Sequence, residues 1–292
     1  MNSINDFNFL LLYRISDRDK YLVLTKIVNM PTLYTRFGLS ALLILSACSA
    51  HTGSQETKAG GPMRAPGKII ASSPAFMSYK QDLLNLAVDY TAFDTAMKPI
   101  SRATFLEAFA TGDYVPVRLA ADTKASYQLY KLPDTSSRDV HNVVRYYGDV
   151  YNKHYKREGT AFPAINFSDV NDAVYNKETL KGKTVVLKFW FIRCGACVAE
   201  MPRLNELVEE YRNHKDVLFL SMAFDTKVQL RSFLQKTRFL YATIPVPEAY
   251  VLDEAKVDVF PTHMILKDGI IQKVPDSAEE LVAALHEAVP VK

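Results

Sequence analysis

A nine-residue run of almost entirely apolar residues, Thr184–Ile192, most constrains the fold that this chain can adopt. The run, TVVLKFWFI, is rich in β-branched and aromatic side chains, which favours a strand buried on both faces of a sheet. Two cysteines, Cys194 and Cys197, follow it closely, and apolar residues at helical spacing begin at Met201. The sequence therefore predicts a buried strand, a cysteine pair and a helix in immediate succession.

The segments around this unit alternate between strand patterns and helix patterns. The predicted elements are short strands around Asn171-Asp172, a strand at Asp216–Phe224, a helix at Lys227–Thr237, a hairpin at Thr262–Val274 and a helix capped by Ser277. Strands that alternate with helices and end in a hairpin indicate an α/β layer with a central mixed sheet flanked by helices. We therefore predict an α/β domain over residues 161–292.

Residues 68–160 are predicted to form a mainly helical accessory region. The helix patterns comprise one apolar face from Phe76 to Met97, a helix capped by Ser101, and a helix from Val140 to His154. A hairpin of Val115–Ala120 and Tyr127–Leu132 around Asp122-Thr123 has a weaker turn signal. Most of the aromatic residues fall at core spacing, which favours packing of a small core over a partner-binding surface.

The start of the chain has the pattern of an export signal rather than of a folded domain. Arg36 precedes a short apolar run that is too short to span a bilayer, and Leu45–Cys48 resembles the lipobox of bacterial lipoproteins. That resemblance implies cleavage before Cys48 and acylation of its sulfur. We therefore predict a signal region at residues 1–47, with Met30 as a possible true start, and a lipid-anchored tether at 48–67, which is rich in glycine, serine, threonine and proline.

The charge balance excludes one broad class of partner. The formal net charge is only +3, and no block of basic residues is present. A protein that binds nucleic acid normally carries a basic patch or stripe, so we expect no nucleic-acid partner.

The cysteine pair favours redox chemistry. Cys194 is expected near the N-terminus of a helix, where unpaired N–H groups and the helix dipole stabilise a thiolate. Cys197 lies three residues further on, within disulfide reach, so it could resolve a mixed disulfide formed by Cys194. A structural zinc site needs four ligands, and a static disulfide in so small a loop would restrict the unfolded chain little. His263 is the one histidine expected near the pair, where it is more simply a strand residue beside a hairpin.

Several motifs together carry a family resemblance. Trp190, the motif Cys194-Gly195-Ala196-Cys197, Glu200, Pro202 and the segment Val259–Gly269 (VFPTHMILKDG) resemble the TlpA/ResA-like branch of the thioredoxin superfamily. The resemblance covers about residues 161–292. It implies a thioredoxin-like fold and an exported, membrane-tethered thiol–disulfide oxidoreductase that acts as a protein-disulfide reductase.

The resemblance also implies roles for individual residues. Cys194, Cys197 and Glu200 would be catalytic, with Glu200 able to carry the proton of Cys197. Substrate binding would fall to Trp190, beside the cysteines, and to Phe260, Pro261 and Thr262, where a cis peptide is expected at Phe260–Pro261. No metal or other cofactor is expected, and the expected partners are disulfide-containing exported proteins and a membrane electron donor.

Two departures from the family pattern leave the reduction potential open. Gly195-Ala196 stands where Gly-Pro is commoner, and Arg193 stands where tryptophan usually precedes the first cysteine. The positive charge of Arg193 should stabilise the Cys194 thiolate further.

Three alternatives are open at the level of sequence. A copper-delivery lipoprotein on the same fold would use a C-x-x-x-C motif with a histidine, and the spacing here is one residue short. A peroxiredoxin-type peroxidase would have threonine or serine three residues before its cysteine, where this chain has Phe191. A third alternative is an interaction protein whose accessory region does the work and whose cysteine pair is vestigial.

Overall fold

The structure is a computed structural model, and it describes residues 11–14, 21–24, 60–121 and 124–291. The predicted signal, Cys48 and most of the predicted tether therefore lie outside the described residues, apart from two short strands. These strands, β1 (Leu11–Arg14) and β2 (Tyr21–Leu24), pair antiparallel. No helix in the described part of the chain is long and apolar enough to cross a bilayer.

The accessory region combines helices with a four-stranded sheet. Its elements are α1 (Pro66–Ile69), α2 (Ser73–Leu83), β3 (Tyr90–Phe93), β4 (Pro99–Ile100), α3 (Arg102–Ala110), β5 (Tyr114–Leu119), β6 (Ala125–Lys131) and α4 (Arg138–Arg157). The strand order is β4-β3-β6-β5, with β5 and β6 antiparallel as the predicted hairpin requires. The predicted turn residues, 122 and 123, lie outside the described residues.

One prediction for this region is wrong: the helix that begins near Phe76 does not continue to Met97. It ends at Leu83, because the next residue has an extended backbone and Tyr90–Phe93 pairs in the sheet. The Asp94 carboxylate then accepts bonds from the N–H groups of Ala96 and Lys98, which closes a turn. Helix is the commoner element here, as predicted, and the four-stranded sheet accompanies it.

The described fold begins earlier than the predicted end of the tether. Residues 60–63 run antiparallel beside β5, where the Met63 N–H donates to the Arg118 carbonyl at 2.9 Å. The helices α2, α3 and α4 enclose an aromatic core; its largest fully buried side chains are Tyr79, Tyr127, Phe76, Phe105 and Phe109. This packing explains the core spacing of the aromatic residues.

The second region has the predicted mixed sheet flanked by helices. Its elements are β7 (Phe167–Ser168), β8 (Val174–Tyr175), α5 (Lys177–Leu180), β9 (Thr184–Trp190), α6 (Gly195–Ala199), α7 (Met201–Glu210), β10 (Val217–Ala223), α8 (Lys227–Leu234), β11 (Ala242–Pro245), a π-helical turn (Tyr250–Glu254), β12 (Thr262–Lys267), β13 (Ile270–Lys273) and α9 (Ala278–Ala288).

The order of the strands, β11-β10-β9-β12-β13, places β9 at the centre. Strand β10 runs parallel to β9 and to β11, whereas β12 runs antiparallel to β9 and to β13. Every residue of β9 is buried, as the apolar run predicts. The predicted α/β, thioredoxin-like architecture is confirmed, but β11, which is only four residues long, was not predicted.

Two connections tie the regions together. Residues 159–162 run along the outer edge of β13, where the Phe162 N–H donates to the Gly269 carbonyl at 2.8 Å. Across the interface, Lys80 of α2 forms an ion pair with Asp276, and the Tyr151 hydroxyl of α4 donates to Glu280 of α9. The accessory region thus contacts the start of α9, which lies against the cysteine-bearing part of the chain.

Candidate active site

Cys194 and Cys197 are joined by a disulfide at the start of α6, with their Cα atoms 5.2 Å apart. Cys194 is the N-cap of this helix, and its Sγ accepts a hydrogen bond from the Cys197 N–H at 3.2 Å. Both cysteines are almost completely buried, whereas Arg193 and Gly195 beside them are exposed. The predicted position of Cys194 at a helix N-terminus is confirmed.

The turn between β9 and α6 is held by backbone hydrogen bonds. The Ile192 N–H donates to a carboxylate oxygen of Asp225 at 2.8 Å, and the Cys194 N–H donates to the Phe191 carbonyl at 3.0 Å. Asp225 directly follows β10, so a residue at the end of β10 holds the turn that follows the neighbouring strand β9. The cysteine pair is therefore anchored at the carboxyl ends of β9 and β10.

The helix after the cysteines is divided. Helix α6 ends at Ala199, α7 begins at Met201, and Glu200 lies between them. Pro202 lies in the first turn of α7, where a missing backbone N–H costs little. The break between the two helices lies at Glu200, whose side chain points into the protein and contacts Lys188.

The Phe260–Pro261 peptide is cis, as predicted. Phe260 packs against Phe191 and Phe224, with ring centroids 5.4 and 5.8 Å apart, and the latter two rings stack on each other. Phe191 and Phe224 are half-buried, and Pro261 also keeps some exposed surface. These aromatic rings form a partly exposed apolar surface next to the segment that leads from β9 to Cys194.

The other two predicted substrate-binding residues are less accessible. Trp190 is fully buried and packs against Phe233 and Phe239. The hydroxyl of Thr262, also buried, donates to the Val259 carbonyl at 2.6 Å. Trp190 belongs to the same hydrophobic core as both cysteines, and it has no surface that a substrate could touch.

Glu200 lies in a cluster of buried polar groups. One carboxylate oxygen, Oε2, accepts from Lys188 Nζ at 2.8 Å and is 3.1 Å from His263 Nε2. The other, Oε1, accepts from the Ala278 N–H at 3.0 Å. Lys188 and His263 are fully buried and face each other across β9 and β12. Three elements of the fold thus meet on one carboxylate.

This cluster changes the ionisation of its members. Burial by itself raises the pKa of Glu200, but the charges and hydrogen bonds of Lys188 and His263 outweigh it and lower that pKa to about 2. Burial lowers the pKa of Lys188, against the opposing effect of Glu200, and burial also lowers the pKa of His263. Glu200 is therefore ionised at neutral pH and is a weak base.

Sequence reasoning missed Lys188. The available signal was a lysine inside the apolar run TVVLKFWFI, because a charged residue in a strand buried on both faces requires a partner. His263 was placed near the site on sequence grounds, and it is both a strand residue and a partner of Glu200. No group of three or more histidine, cysteine, aspartate or glutamate side chains in the described ranges is arranged to hold a metal ion.

Comparison with known proteins identifies the family. Residues 157–256 match the Redoxin family model. Thiol-disulfide oxidoreductase ResA of Bacillus cereus is 25% identical over 149 residues, which cover 50% of this chain and 86% of that protein. ResA of Oceanobacillus iheyensis is 30% identical over 146 residues, which cover 46% of this chain and 74% of the relative.

The chain belongs to the TlpA/ResA-like family of thiol-disulfide oxidoreductases. A thioredoxin-like protein of Bacillus subtilis, YneN, is 28% identical over 121 residues, covering 40% of this chain and 71% of that protein. Among solved structures, a thiol:disulfide interchange protein from Bacteroides sp. is 20% identical, with a TM-score of 0.41 over 45% of this chain and 90% of that one. As a ResA-like enzyme, the protein is a disulfide oxidoreductase with Cys194 and Cys197 as its cysteine pair.

Proposed function

We propose that this ResA-like protein is exported, anchored to a membrane of the cell envelope through Cys48, and reduces or exchanges disulfides in other exported proteins on the periplasmic side. The observation that carries the thiol–disulfide exchange role is the Cys194 sulfur at the N-cap of α6, where it accepts a hydrogen bond from the Cys197 N–H. A donor in that position stabilises a thiolate more than a neutral thiol, so it favours the nucleophilic form.

The proposed reaction is an exchange of two electrons. In the reduced protein, the Cys194 thiolate attacks one sulfur of a substrate disulfide; a mixed disulfide forms, and the other substrate sulfur leaves as a thiolate. Cys197 then loses its proton and attacks Cys194, which forms the internal disulfide and releases the second substrate thiolate. The substrate gains two electrons from the cysteine pair, and its two leaving thiolates take up the proton that Cys197 loses and one proton from solvent. A membrane electron donor carrying a dithiol would return the protein to its reduced form.

The proposed substrate surface is the aromatic cluster of Phe191, Phe224 and Phe260 together with Pro261. Its partly exposed rings lie beside the segment that carries Cys194, and they could bind apolar residues next to a substrate disulfide. Trp190 and Thr262 would support this surface from beneath. Glu200 would contribute a fixed negative charge near Cys197, because its low pKa keeps it ionised at neutral pH. The same low pKa makes proton transfer through Glu200 inefficient.

Trapping of mixed disulfides tests the reductase proposal. In a Cys197→Ser variant the first step occurs and the second cannot, so exported client proteins should accumulate on Cys194 and be released by a reducing agent. Cys194→Ser should trap none, and the wild-type protein should reduce a model substrate such as insulin. Failure of Cys197→Ser to trap any exported protein would refute the proposed role, and tight one-to-one binding of Cu(I) by an inactive protein would support copper delivery instead.

Lipid anchoring needs its own experiment. In cells supplied with labelled fatty acid, the wild-type protein should carry the label and sediment with membranes, and Cys48→Ala should do neither. An unlabelled protein with an intact N-terminus would refute the anchor without bearing on the redox chemistry.

A further inference from the structure

Lys188 is an unusual residue for the centre of a sheet. It is fully buried in β9, six residues before Cys194. Removing an ammonium group from water is costly, and well-packed apolar residues in place of a buried ion pair are often as stable or more stable. The ion pair between Lys188 and Glu200 is therefore weak evidence that Lys188 stabilises the fold. The position of Lys188 close to the cysteine motif suggests a role in the redox site instead.

Lys188 and His263 both contact the same carboxylate oxygen of Glu200. Both lie on neighbouring strands at paired positions, and both contact Oε2 of Glu200, at 2.8 and 3.1 Å. The Ala278 N–H, at the first residue of α9, contacts Oε1. Because β9, β12 and α9 pack together in one hydrophobic core, these three contacts leave the carboxylate little freedom to turn.

Glu200 is closely linked to the reacting cysteines. It is the residue at which α6 ends and α7 begins, three positions after Cys197. Positions three apart lie on the same side of a helix, about 5–6 Å apart at Cβ. The charge and orientation of Glu200 therefore act on the helix turn that carries Cys197.

We propose that Lys188 and His263 are positioning residues for the exchange reaction, which hold Glu200 as an immobile anion beneath the cysteine helix. This inference rests on the proposed function of the cysteine pair. Its consequence is that Glu200 does not exchange protons in the pH range where the cysteines react, so the pH dependence of the reaction reports the cysteines alone.

Other ionisable groups near the cluster do not change this conclusion. Tyr241, which is fully buried before β11, and Asp276, which precedes α9, are the further groups whose charge is coupled to Glu200 or His263. Burial and the charge of Glu200 raise the pKa of Tyr241 far above its usual range, so Tyr241 stays neutral. Asp276 is paired with Lys80. Lys188 contacts Glu200 directly, and its charge is the largest of the effects that lower the pKa of Glu200, so removing Lys188 raises that pKa even though the contact with His263 remains.

The decisive measurement is the rate of alkylation of Cys194 in the reduced full-length protein between about pH 5 and 9. We expect one ionisation in the wild-type profile. In Lys188→Met, protonation of Glu200 should add a second step to the profile. The rate should change roughly 3- to 10-fold across this step, which corresponds to a shift of about half to one unit in the pKa of Cys194. The Lys188→Met/Glu200→Gln double variant should lose that step. Lys267→Met, an exposed cation at the far end of β12, is the matched control and should give the wild-type profile.

A second measurement needs no substitution at Lys188. The side-chain carboxyl carbon of Glu200, identified by its absence in Glu200→Gln, can be followed by NMR in labelled wild-type protein. We expect no titration between pH 5 and 8. Titration of Glu200 in that range, or a second step that persists in the double variant, would overturn the inference. Both readouts use only the protein's own groups, so they remain decisive even if no exported client is trapped.

Discussion

Lys80 of helix α2 and Asp276, just before helix α9, form a 2.7 Å ion pair that is largely removed from solvent. Although burial lowers the pKa of Lys80, the charges of Asp276 and Glu280 raise it above its usual range. The same start of α9 donates the Ala278 N–H to Glu200. The accessory region therefore contacts the helix that helps to hold the buried carboxylate of the active site.

Lys80→Met should destabilise the folded protein strongly. It leaves Asp276 buried without its cation, and breaking a buried pair typically costs about 3–5 kcal/mol. Arg64→Met is the control, because the Arg64–Asp82 pair is 2.8 Å long but half-exposed and should contribute about 0–1 kcal/mol. Urea unfolding followed by far-UV circular dichroism and by the fluorescence of the single tryptophan, Trp190, measures both. Equal losses in the two variants would contradict a specific role for the interface.

Glu280→Gln should change how stability depends on pH. Burial raises the pKa of Glu280 to about 7, with Lys80, Asp276 and Tyr151 as the groups that face it. Between pH ~4.5 and ~7 the folded protein keeps a proton that the unfolded chain releases, so Glu280 makes the free energy of unfolding fall as the pH rises. The free energy of unfolding of Glu280→Gln, relative to wild type, should therefore increase by about 3 kcal/mol across that window.

His154 changes the pH dependence of stability in the direction opposite to Glu280. Burial lowers its pKa to about 4, so between pH ~4 and ~6.5 the unfolded chain binds the extra proton and stability rises with pH. Wild-type stability should consequently change little over this range, whereas Glu280→Gln should become more stable as the pH rises. Glu279→Gln, at an exposed neighbouring position, is the control and should follow the wild type. Parallel curves for wild type and Glu280→Gln would show that Glu280 is ionised throughout.

Gly148→Ala should separate two helices of the accessory region. A Cβ atom at Gly148 of α4 would lie 2.3 Å from the Phe109 carbonyl oxygen of α3, and a backbone atom cannot move aside cheaply. We expect a loss of about 1–3 kcal/mol, which exceeds the gain in helix propensity. Gly67→Ala in α1, where a Cβ atom would meet open space, should be neutral or slightly stabilising. Thermal unfolding of both variants measures the difference, and similar melting temperatures would contradict the close helix contact.

Arg193→Gln should slow the reaction of Cys194 modestly. Arg193 is exposed beside a nucleophile, so its charge favours the thiolate but is screened by solvent and salt. We expect the rate of alkylation at neutral pH to fall roughly 2- to 5-fold at low ionic strength, which corresponds to a fraction of a pKa unit, and to approach the wild-type rate at high salt. Arg212→Gln, after the far end of α7, should have no effect. A salt-independent loss would indicate a structural rather than an electrostatic role.

Elements with strong local signals were predictable from sequence. The apolar run of β9, the turn at Asp268-Gly269, and the caps Ser101 and Ser277 all lie where local chemistry places them. In each case the signal and its cause are contained within a few neighbouring residues.

Elements that depend on distant partners were less predictable. Tyr90–Phe93 continues a helical spacing in the sequence, yet it forms a strand because β6 offers it a pairing edge. Strand β11 is short and depends on β10 in the same way. Position 188 carried a visible anomaly, but the identity of its partner required the fold, since Glu200 is brought to Lys188 only by the break between α6 and α7.

The connection between the two regions has a consequence for how this protein meets other chains. Residues 159–162 are hydrogen-bonded along the outer side of β13, and the Val170 N–H donates to Thr243 on the outer side of β11. An uncovered edge strand can pair with a strand of another chain. Here segments of the protein's own chain are hydrogen-bonded to both edge strands of the five-stranded sheet, β13 and β11. A chain that carries a disulfide would therefore reach Cys194 at the carboxyl ends of β9 and β10, and not by adding a strand to either side of the sheet.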